Sequence, residues 1–316
     1  MKTLVIGRRG LIGSAIARSV RYRHELFDPV ANVRWDDDYS ARSDLRAVID
    51  GFQRFVGDEK WAVFWAAGKG HLGSTSADLR AEEELFGVLL SSIVEWGSTK
   101  GLIALMSSAG AIWSAPTHGS ITESTNATGT SPYALSKLHL EGQLTSLCNN
   151  TGLRGLVARL SSVYGVNQDL HKPQGLISRL CASSIMRRPV EIFVPLETTR
   201  NYIYANDAAE MMLDVAESLL SEHDARGNCT VRIFCSRDNH SIASVCASIE
   251  TVSRRKLLIT TRLGQEASRY PLHFRLKTEF PELTNRLERT TLIAGVADVY
   301  QEMLQNFQNG NLAITS

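Results

Sequence analysis

A buried strand that runs straight into a glycine-rich turn and then a helix leaves a chain few choices of fold. Residues Lys2 to Ile6 form a short apolar run rich in β-branched side chains and read as such a strand. Gly7, Arg8, Arg9, Gly10, Leu11, Ile12 and Gly13 follow at once, and Ser14 to Arg18 continues as a helix. In this context a glycine triplet predicts a dinucleotide site. Gly7 permits the tight turn, Gly10 lets backbone approach a pyrophosphate, and Gly13 lets the helix pack on the strand. The phosphates would rest on the helix N-terminus, where backbone N–H groups are free. The spacing is G-x-x-G-x-x-G.

The pattern continues in the same key. His24 to Asp28 reads as a second strand, and Asp44 to Phe55 as an amphipathic helix. Trp61 to Ala67 reads as a buried strand that ends in Gly68, Lys69 and Gly70. Small residues at a strand's carboxyl end, here Ala66, Ala67 and Gly68, suit close approach by a ligand. Helix Ala77 to Trp96 comes next, then strand Leu102 to Met106, which runs into Ser107 and Ser108. Alternating strands and helices predict an α/β fold with a Rossmann-type, doubly wound parallel sheet. Right-handed crossovers would place the glycine loop at the carboxyl end of the first strand, in a sheet of seven strands or nearly so.

Later segments read as helices Leu176 to Met186, Asp207 to Ser221, Ser241 to Val252 and Thr290 to Phe307, with strands Thr230 to Cys235 and Leu257 to Thr261. A chain of 316 residues can hold two lobes. The expected division is a dinucleotide domain over 1–165, rejoined by about 206–237, and a smaller α+β lobe from 166–205 and 238–316.

Composition excludes several classes. A net charge of +1 gives no electrostatic case for nucleic acid or an anionic membrane surface. No apolar run approaches the ~18 residues of a membrane span, and the N-terminus carries no signal-peptide pattern. The five cysteines are scattered, odd in number and free of C-x-x-C spacing. That argues for a reducing, cytoplasmic location and against a zinc site.

The segment after the first helix bears on which dinucleotide is taken. An acidic residue ~20 positions on would bind a ribose 2′-hydroxyl, whereas an arginine would accept a 2′-phosphate. Asp28 is the acidic candidate. Arg8 and Arg9 lie in the loop and Arg34 follows the second strand, so the balance leans to NADP, with NAD possible.

Ser131 is a good N-cap, Pro132 fits the first helical position, and the helix they start puts Tyr133 and Lys137 on one face. A phenol titrates near pH ~10, too high for a base at neutral pH. A lysine ammonium beside it, and an oxidised nicotinamide, would stabilise the phenolate and lower that value.

The ordered set of motifs resembles an extended short-chain dehydrogenase/reductase, the NAD-dependent epimerase/dehydratase family that modifies nucleotide sugars. The resemblance rests on the N-terminal glycine turn, Ala66 to Gly68, Ser107 and Ser108, and the Tyr133/Lys137 pair. It continues through Arg159 to Gly165, similar to R-x-x-N-V-Y-G, and Arg200 to Asp207, similar to R-D-Y-I-x-V-x-D. Thr291 to Gly295 resembles the start of the family's last helix.

The resemblance implies hydride transfer at a sugar carbon, with Tyr133 exchanging the proton and Lys137 holding the nicotinamide ribose. It implies a catalytic hydroxyl near Ser108, with Ser107 next to it against the cofactor. Ser162 stands where the family has Asn, on the cofactor side, and Asn201 where it has Asp. Gln174 lies in the loop that leaves the nucleotide domain toward the substrate. Arg200 matches the arginine that binds the diphosphate, and His171 in the same loop is a candidate second acid or base. A homodimer is a further expectation.

Departures narrow the chemistry. If Trp113 replaces the tyrosine of the serine motif, the usual hydroxyl position falls on Ala109, which makes Ser108 the nearest hydroxyl. Sugar 4,6-dehydratases of the family place Asp-Glu after the catalytic Thr, whereas Ala109 and Gly110 follow Ser108 here. The 3,5-epimerase/reductases use a Cys where Ala111 stands. C4 epimerisation or 4-keto reduction remains. The alternative from another class is a non-catalytic NAD(P)-binding sensor or scaffold, which the retained Tyr133 and Lys137 disfavour.

Overall fold

The computed structural model describes residues 1–30, 32–113, 120–170, 174–222, 227–262 and 272–311. The first half of the chain runs β1 (Lys2–Ile6), α1 (Leu11–Arg23), β2 (Glu25–Leu26), α2 (Asp38–Val56), β3 (Trp61–Trp65), α3 (Ser76–Trp96), β4 (Gly101–Ser108), α4 (Ala109–Ile112) and α5 (Pro132–Thr151). It continues through β5 (Arg154–Leu160), β6 (Ser162–Tyr164), α6 (Leu176–Met186), β7 (Val190–Ile192), β8 (Thr199–Tyr204), α7 (Ala205–Ser221) and β9 (Cys229–Phe234). The last part holds β10 (Asn239–Ser241), α8 (Ile242–Ser253), β11 (Ile259–Thr261), α9 (Pro281–Leu287) and α10 (Leu292–Gln308).

Among the described residues the main sheet has six strands, in the order β2-β1-β3-β4-β5-β9, all paired in parallel. The strand order reverses between β1 and β3, and a ligand crevice belongs at the carboxyl ends beside such a switch. Every residue of β3 and β5 is buried, because helices cover both faces of the sheet. One face packs apolar residues of α1 and α7 against the strands, among them Ile16, Val20, Met212 and Leu213. The other face takes α2, α3 and α5, through Leu45, Phe52, Phe86, Leu89, Leu140 and Leu144. There Trp61 stacks on Trp96 with ring centroids 4.7 Å apart, a contact worth ~0.5–1.5 kcal/mol beyond its buried area.

A third apolar cluster joins α6, α8 and α10 through Leu180, Val245, Ile249, Val296 and Met303. It sits beside two small sheets, β10-β8-β6 and β11-β7. Asn201 in β8 is buried, and its amide donates to Ser236 O and Asp238 O while accepting from the Ser236 N–H. It fastens the exit of β9 to this second layer.

The sheet, six-stranded among the described residues, falls within the expected seven strands or nearly so, whereas some helices differ from the sequence expectation. Helix α2 begins at Asp38 rather than Asp44, because Asp37 caps it by accepting the Ser40 N–H at 3.0 Å. Helix α9, headed by Pro281, was not expected at all. Helix α5 begins as expected: Ser131 Oγ accepts the Ala134 N–H and Pro132 sits in the first turn. No helix among the described residues is long and apolar enough to cross a membrane.

Candidate active site

The glycine loop leaves the carboxyl end of β1 and enters α1. Gly7 has a φ of 88°, a backbone state closed to most side chains, and a Cβ there would lie 2.5 Å from the Ala67 nitrogen. The loop therefore packs directly on the residues that follow β3. A Cβ on Gly13 would collide with the Gly7 carbonyl, so the helix start packs on the turn itself. Gly10 caps α1 without a side chain, and the first turn of α1 contains no acidic residue. A helix start of this kind suits an anion.

This loop forms one end of a cavity of about 720 Å³. Gly7, Arg8, Arg9, Gly10, Leu11 and Ile12 line it, as do Ala66, Ala67 and Gly68, then Ser107 and Ser108, then Tyr133 and Gln174. Residues far apart in sequence thus meet along the strand ends. Gly13 lies behind the loop and shapes it rather than the wall. The cavity's size and the open backbone at its loop end fit an NAD(P)-type dinucleotide.

Three expected contacts lie elsewhere. Arg34 is held by Asp44, with Nε and Nη2 each 2.8 Å from its carboxylate, and is not on the cavity wall. That pair holds the Asp44 pKa down to about 2, through the Arg34 side-chain and backbone donors. Its neighbours Asn32, Val33 and Trp35 line the cavity instead. Ser162 is exposed and off the wall, whereas Ser161 and Val163 are on it. Extended backbone turns alternate side chains to opposite sides, so a one-residue difference in register moves the contact. Arg200 lies outside the cavity as well, with Nη1 donating to the Thr199 carbonyl at 2.8 Å. His171 falls outside the described residues.

The Tyr133 ring stands against Gly70, where an added Cβ would approach Cε2 to 3.2 Å. One turn on, the Lys137 ammonium is 5.6 Å from the centre of that ring. Lys137 is buried, and its Nζ donates to Glu82 Oε1 at 2.7 Å. Burial pulls the Lys137 pKa down, but Glu82, Tyr133 and Glu141 outweigh that and hold it above the ordinary lysine value.

Below this pair lies a buried polar knot. Ser107 Oγ donates to Glu141 Oε1 at 2.5 Å, and Arg159 donates to the same carboxylate through Nε at 3.2 Å and Nη2 at 2.8 Å. The Arg159 guanidinium also lies 5.0 Å from the Trp113 ring centre, which is fully buried. The knot ties α5, which carries Tyr133 and Lys137, to the ends of β4 and β5. It also separates the two serines. Ser107 is committed to Glu141, whereas Ser108 is half-buried on the cavity wall at the start of α4. Ala109 is fully buried and off the wall.

Sequence reasoning missed Glu82, Glu141 and Asn167. Glu141 lies four residues after Lys137, so helical spacing could have marked it. Asn167 has a φ of 68°, and its amide donates to Arg9 O and Ser14 Oγ, both at 3.3 Å. Its own N–H donates to Glu302 of α10 at 2.7 Å, so it links the glycine loop to the last helix.

At the far end of the glycine loop, Arg8 Nη1 pairs with Asp28 Oδ1, and Arg21 reaches the same carboxylate at 3.3 Å.

Known proteins share this fold. The structure superposes on UDP-glucose 4-epimerase of Thermus thermophilus, solved in complex with NAD, with a TM-score of 0.79 at 17% identity, covering 96% of this chain and 99% of that one. UDP-glucuronic acid 4-epimerase of Bacillus cereus, with UDP-glucuronic acid and NAD, gives 0.75 at 17% identity over 96% and 99%. RMD from Pseudomonas aeruginosa, complexed with NADPH, gives 0.76 at 18% identity over 96% and 99%. In sequence, the chain is 30% identical over 111 residues to a Methanocaldococcus jannaschii protein provisionally named a UDP-glucose 4-epimerase. That match spans 35% of this chain and only 36% of the relative. The family model of the NAD dependent epimerase/dehydratase family matches residues 3–226, well over half of the sequence, and this chain belongs to that family.

Proposed function

We propose that this protein is an NAD(P)-dependent enzyme acting on a nucleotide-activated sugar, by C4 epimerisation or 4-keto reduction. The observation that carries the reading is Tyr133 on the wall of a dinucleotide-sized cavity, with the buried Lys137 ammonium beside its ring. A bound nicotinamide would accept or supply the hydride at the sugar carbon. Tyr133 takes the proton of the sugar hydroxyl as that carbon is oxidised, and returns it on reduction. Lys137 keeps positive charge 5.6 Å from the Tyr133 ring centre and favours the phenolate. Ser108 is the hydroxyl placed to hold the substrate oxygen, since Ser107 is committed to Glu141. Gln174, whose amide nitrogen is 3.5 Å from the Gly70 carbonyl, is the candidate substrate contact on the cavity wall. Arg200 is a candidate for the diphosphate only if substrate binding redirects it from Thr199.

The UDP-sugars bound by the structural relatives support a UDP-hexose as the first substrate to try. Incubation with UDP-glucose and NAD, followed by chromatography, should yield the C4 epimer. NADPH with a 4-keto sugar nucleotide should instead lose reduced-nicotinamide absorbance. Failure of both across a panel of nucleotide sugars, with dinucleotide bound, would favour the non-catalytic sensor.

NADP is the preferred cofactor in this reading, carried now by Arg8 and Arg9 without Arg34. The Arg8–Asp28 pair is half exposed, and exposed pairs are worth only ~0–1 kcal/mol, so a 2′-phosphate can displace Asp28. The second reading, NAD, is favoured by Asp28 itself, a carboxylate beyond β2 where ribose hydroxyls would need an acceptor. A cytoplasmic location, consistent with five free cysteines, and a homodimer complete the proposal.

A further inference from the structure

Helix α3 carries Glu82, Glu83 and Glu84 in succession, and they have different surroundings. Glu84 is exposed and pairs with Arg42 at the surface. Glu82 turns inward, with its side chain 8% exposed and paired with Lys137, itself 7% exposed. Its other oxygen lies against the end of β3: a Cβ on Gly68 would approach Glu82 Oε2 to 2.7 Å. The carboxylate is therefore fixed between the Lys137 ammonium and the Gly68 backbone, on the wall of the cavity.

Such a pair is a poor source of stability. Taking both charges out of water costs about what their attraction returns, and apolar replacements are often as stable. Its place on the cavity wall asks for another explanation. Resting on the reading of the cavity as an NAD(P) site, we propose that Glu82 is a positioning residue for Lys137: it keeps the buried amine charged and aimed at the nicotinamide ribose.

The charges facing Lys137 are few. Tyr133 and Glu141 come from its own helix and Glu82 from α3. Glu141 is spent on Arg159 of β5 and Ser107 of β4. Glu82, by contrast, has no other ion pair among the described residues. Without it, Lys137 loses both its hydrogen-bonded partner and the largest attraction opposing burial, leaving only Tyr133 and Glu141 against it. Burial lowers the pKa of a lysine left short of partners toward the range where the amine is neutral. A neutral amine is a weaker donor to a ribose hydroxyl and no longer stabilises a phenolate.

The test is NADPH and NADH binding as a function of pH, by fluorescence titration, for the wild type, Glu82→Gln, Glu82→Asp and Lys137→Gln. Wild type should bind with nearly constant affinity from about pH 6 to pH 9, since Lys137 stays charged there. Glu82→Gln should bind comparably at the acid end and ~10-fold more weakly at the alkaline end, as a charge-assisted bond is lost. Glu82→Asp, which keeps the charge, should restore the flat profile. Adding Lys137→Gln to Glu82→Gln should abolish the pH dependence, leaving weak binding throughout. A parallel readout needs no cofactor: the Lys137 side-chain NMR signal in lysine-labelled protein, assigned by its loss in Lys137→Arg, should titrate at lower pH in Glu82→Gln. A Glu82→Gln protein with a flat profile and an unmoved Lys137 titration would overturn the inference. A wild type that binds neither dinucleotide would overturn the cofactor reading, and the NMR titration would still decide whether Glu82 sets the charge of Lys137.

Discussion

Ser107 and Ser108 are adjacent in β4, yet only Ser107 is joined to Glu141, by a 2.5 Å hydrogen bond inside the protein. Both serines line the cavity, but the Ser107 hydroxyl is spent on the carboxylate that anchors α5, which leaves Ser108 as the hydroxyl for a substrate. Ser107→Ala should therefore lower stability, by ~1.5–3 kcal/mol for the loss of one hydrogen bond to a charged acceptor that Arg159 still pairs. Ser108→Ala should leave the melting temperature near that of the wild type and reduce turnover ~10²-fold, as loss of one donor to a reacting oxygen does. Thermal unfolding and turnover measured on both variants check the assignment. The reverse pattern would make Ser107 the reacting hydroxyl.

Cofactor choice turns on Arg8 and Asp28. A guanidinium bonded to a 2′-phosphate contributes ~1.5–3 kcal/mol, and one facing a plain ribose contributes little. NADPH should bind more tightly than NADH, and Arg8→Ala should narrow that gap while barely changing NADH. Asp28→Ala should widen it, because the carboxylate competes for Arg8 and repels a phosphate. Arg34→Ala should alter neither affinity, since Asp44 holds that side chain away from the cavity. Titration of both cofactors decides the matter: an NADH preference in the wild type would assign Asp28 to the ribose.

Gly13 and Gly142 are both helical glycines with opposite surroundings. A Cβ at Gly13 meets the Gly7 backbone, which cannot yield without opening the loop, and one at Gly142 meets nothing within 4 Å. Gly142→Ala should stabilise by ~0.5–1 kcal/mol through helix propensity. Gly13→Ala should destabilise the protein and weaken dinucleotide binding together. Calorimetry with and without NADPH measures both effects. Unchanged NADPH binding in Gly13→Ala would contradict the loop assignment.

Local signals were the ones legible in the sequence. Ser131, Pro132 and the apolar run of β1 act within a few residues of themselves, so the start of α5 and the strand-turn-helix could be read directly. Tyr133 and Lys137 followed from that helix start. Glu82 was not legible: it meets Lys137 across 55 residues of chain, and three successive glutamates on α3 give no hint which one turns inward. Arg34 misled because charge type predicts a phosphate contact equally well as an ion pair, and only the fold brings Asp44 beside it. Ser162 and Ser161 differ by one strand position, which a motif cannot resolve without knowing where β6 starts to pair with β8.

The central claim is that Tyr133 moves the proton in a hydride transfer at a nucleotide sugar. Turnover of UDP-glucose or a 4-keto sugar nucleotide by Tyr133→Phe, set beside its NADPH and NADH affinities, tests it most directly. The phenyl ring keeps the packing against Gly70, and only the proton-carrying oxygen is removed. Turnover should be abolished with both affinities near those of the wild type. Turnover comparable to the wild type would contradict the account and leave Tyr133 and Lys137 as a structural pair.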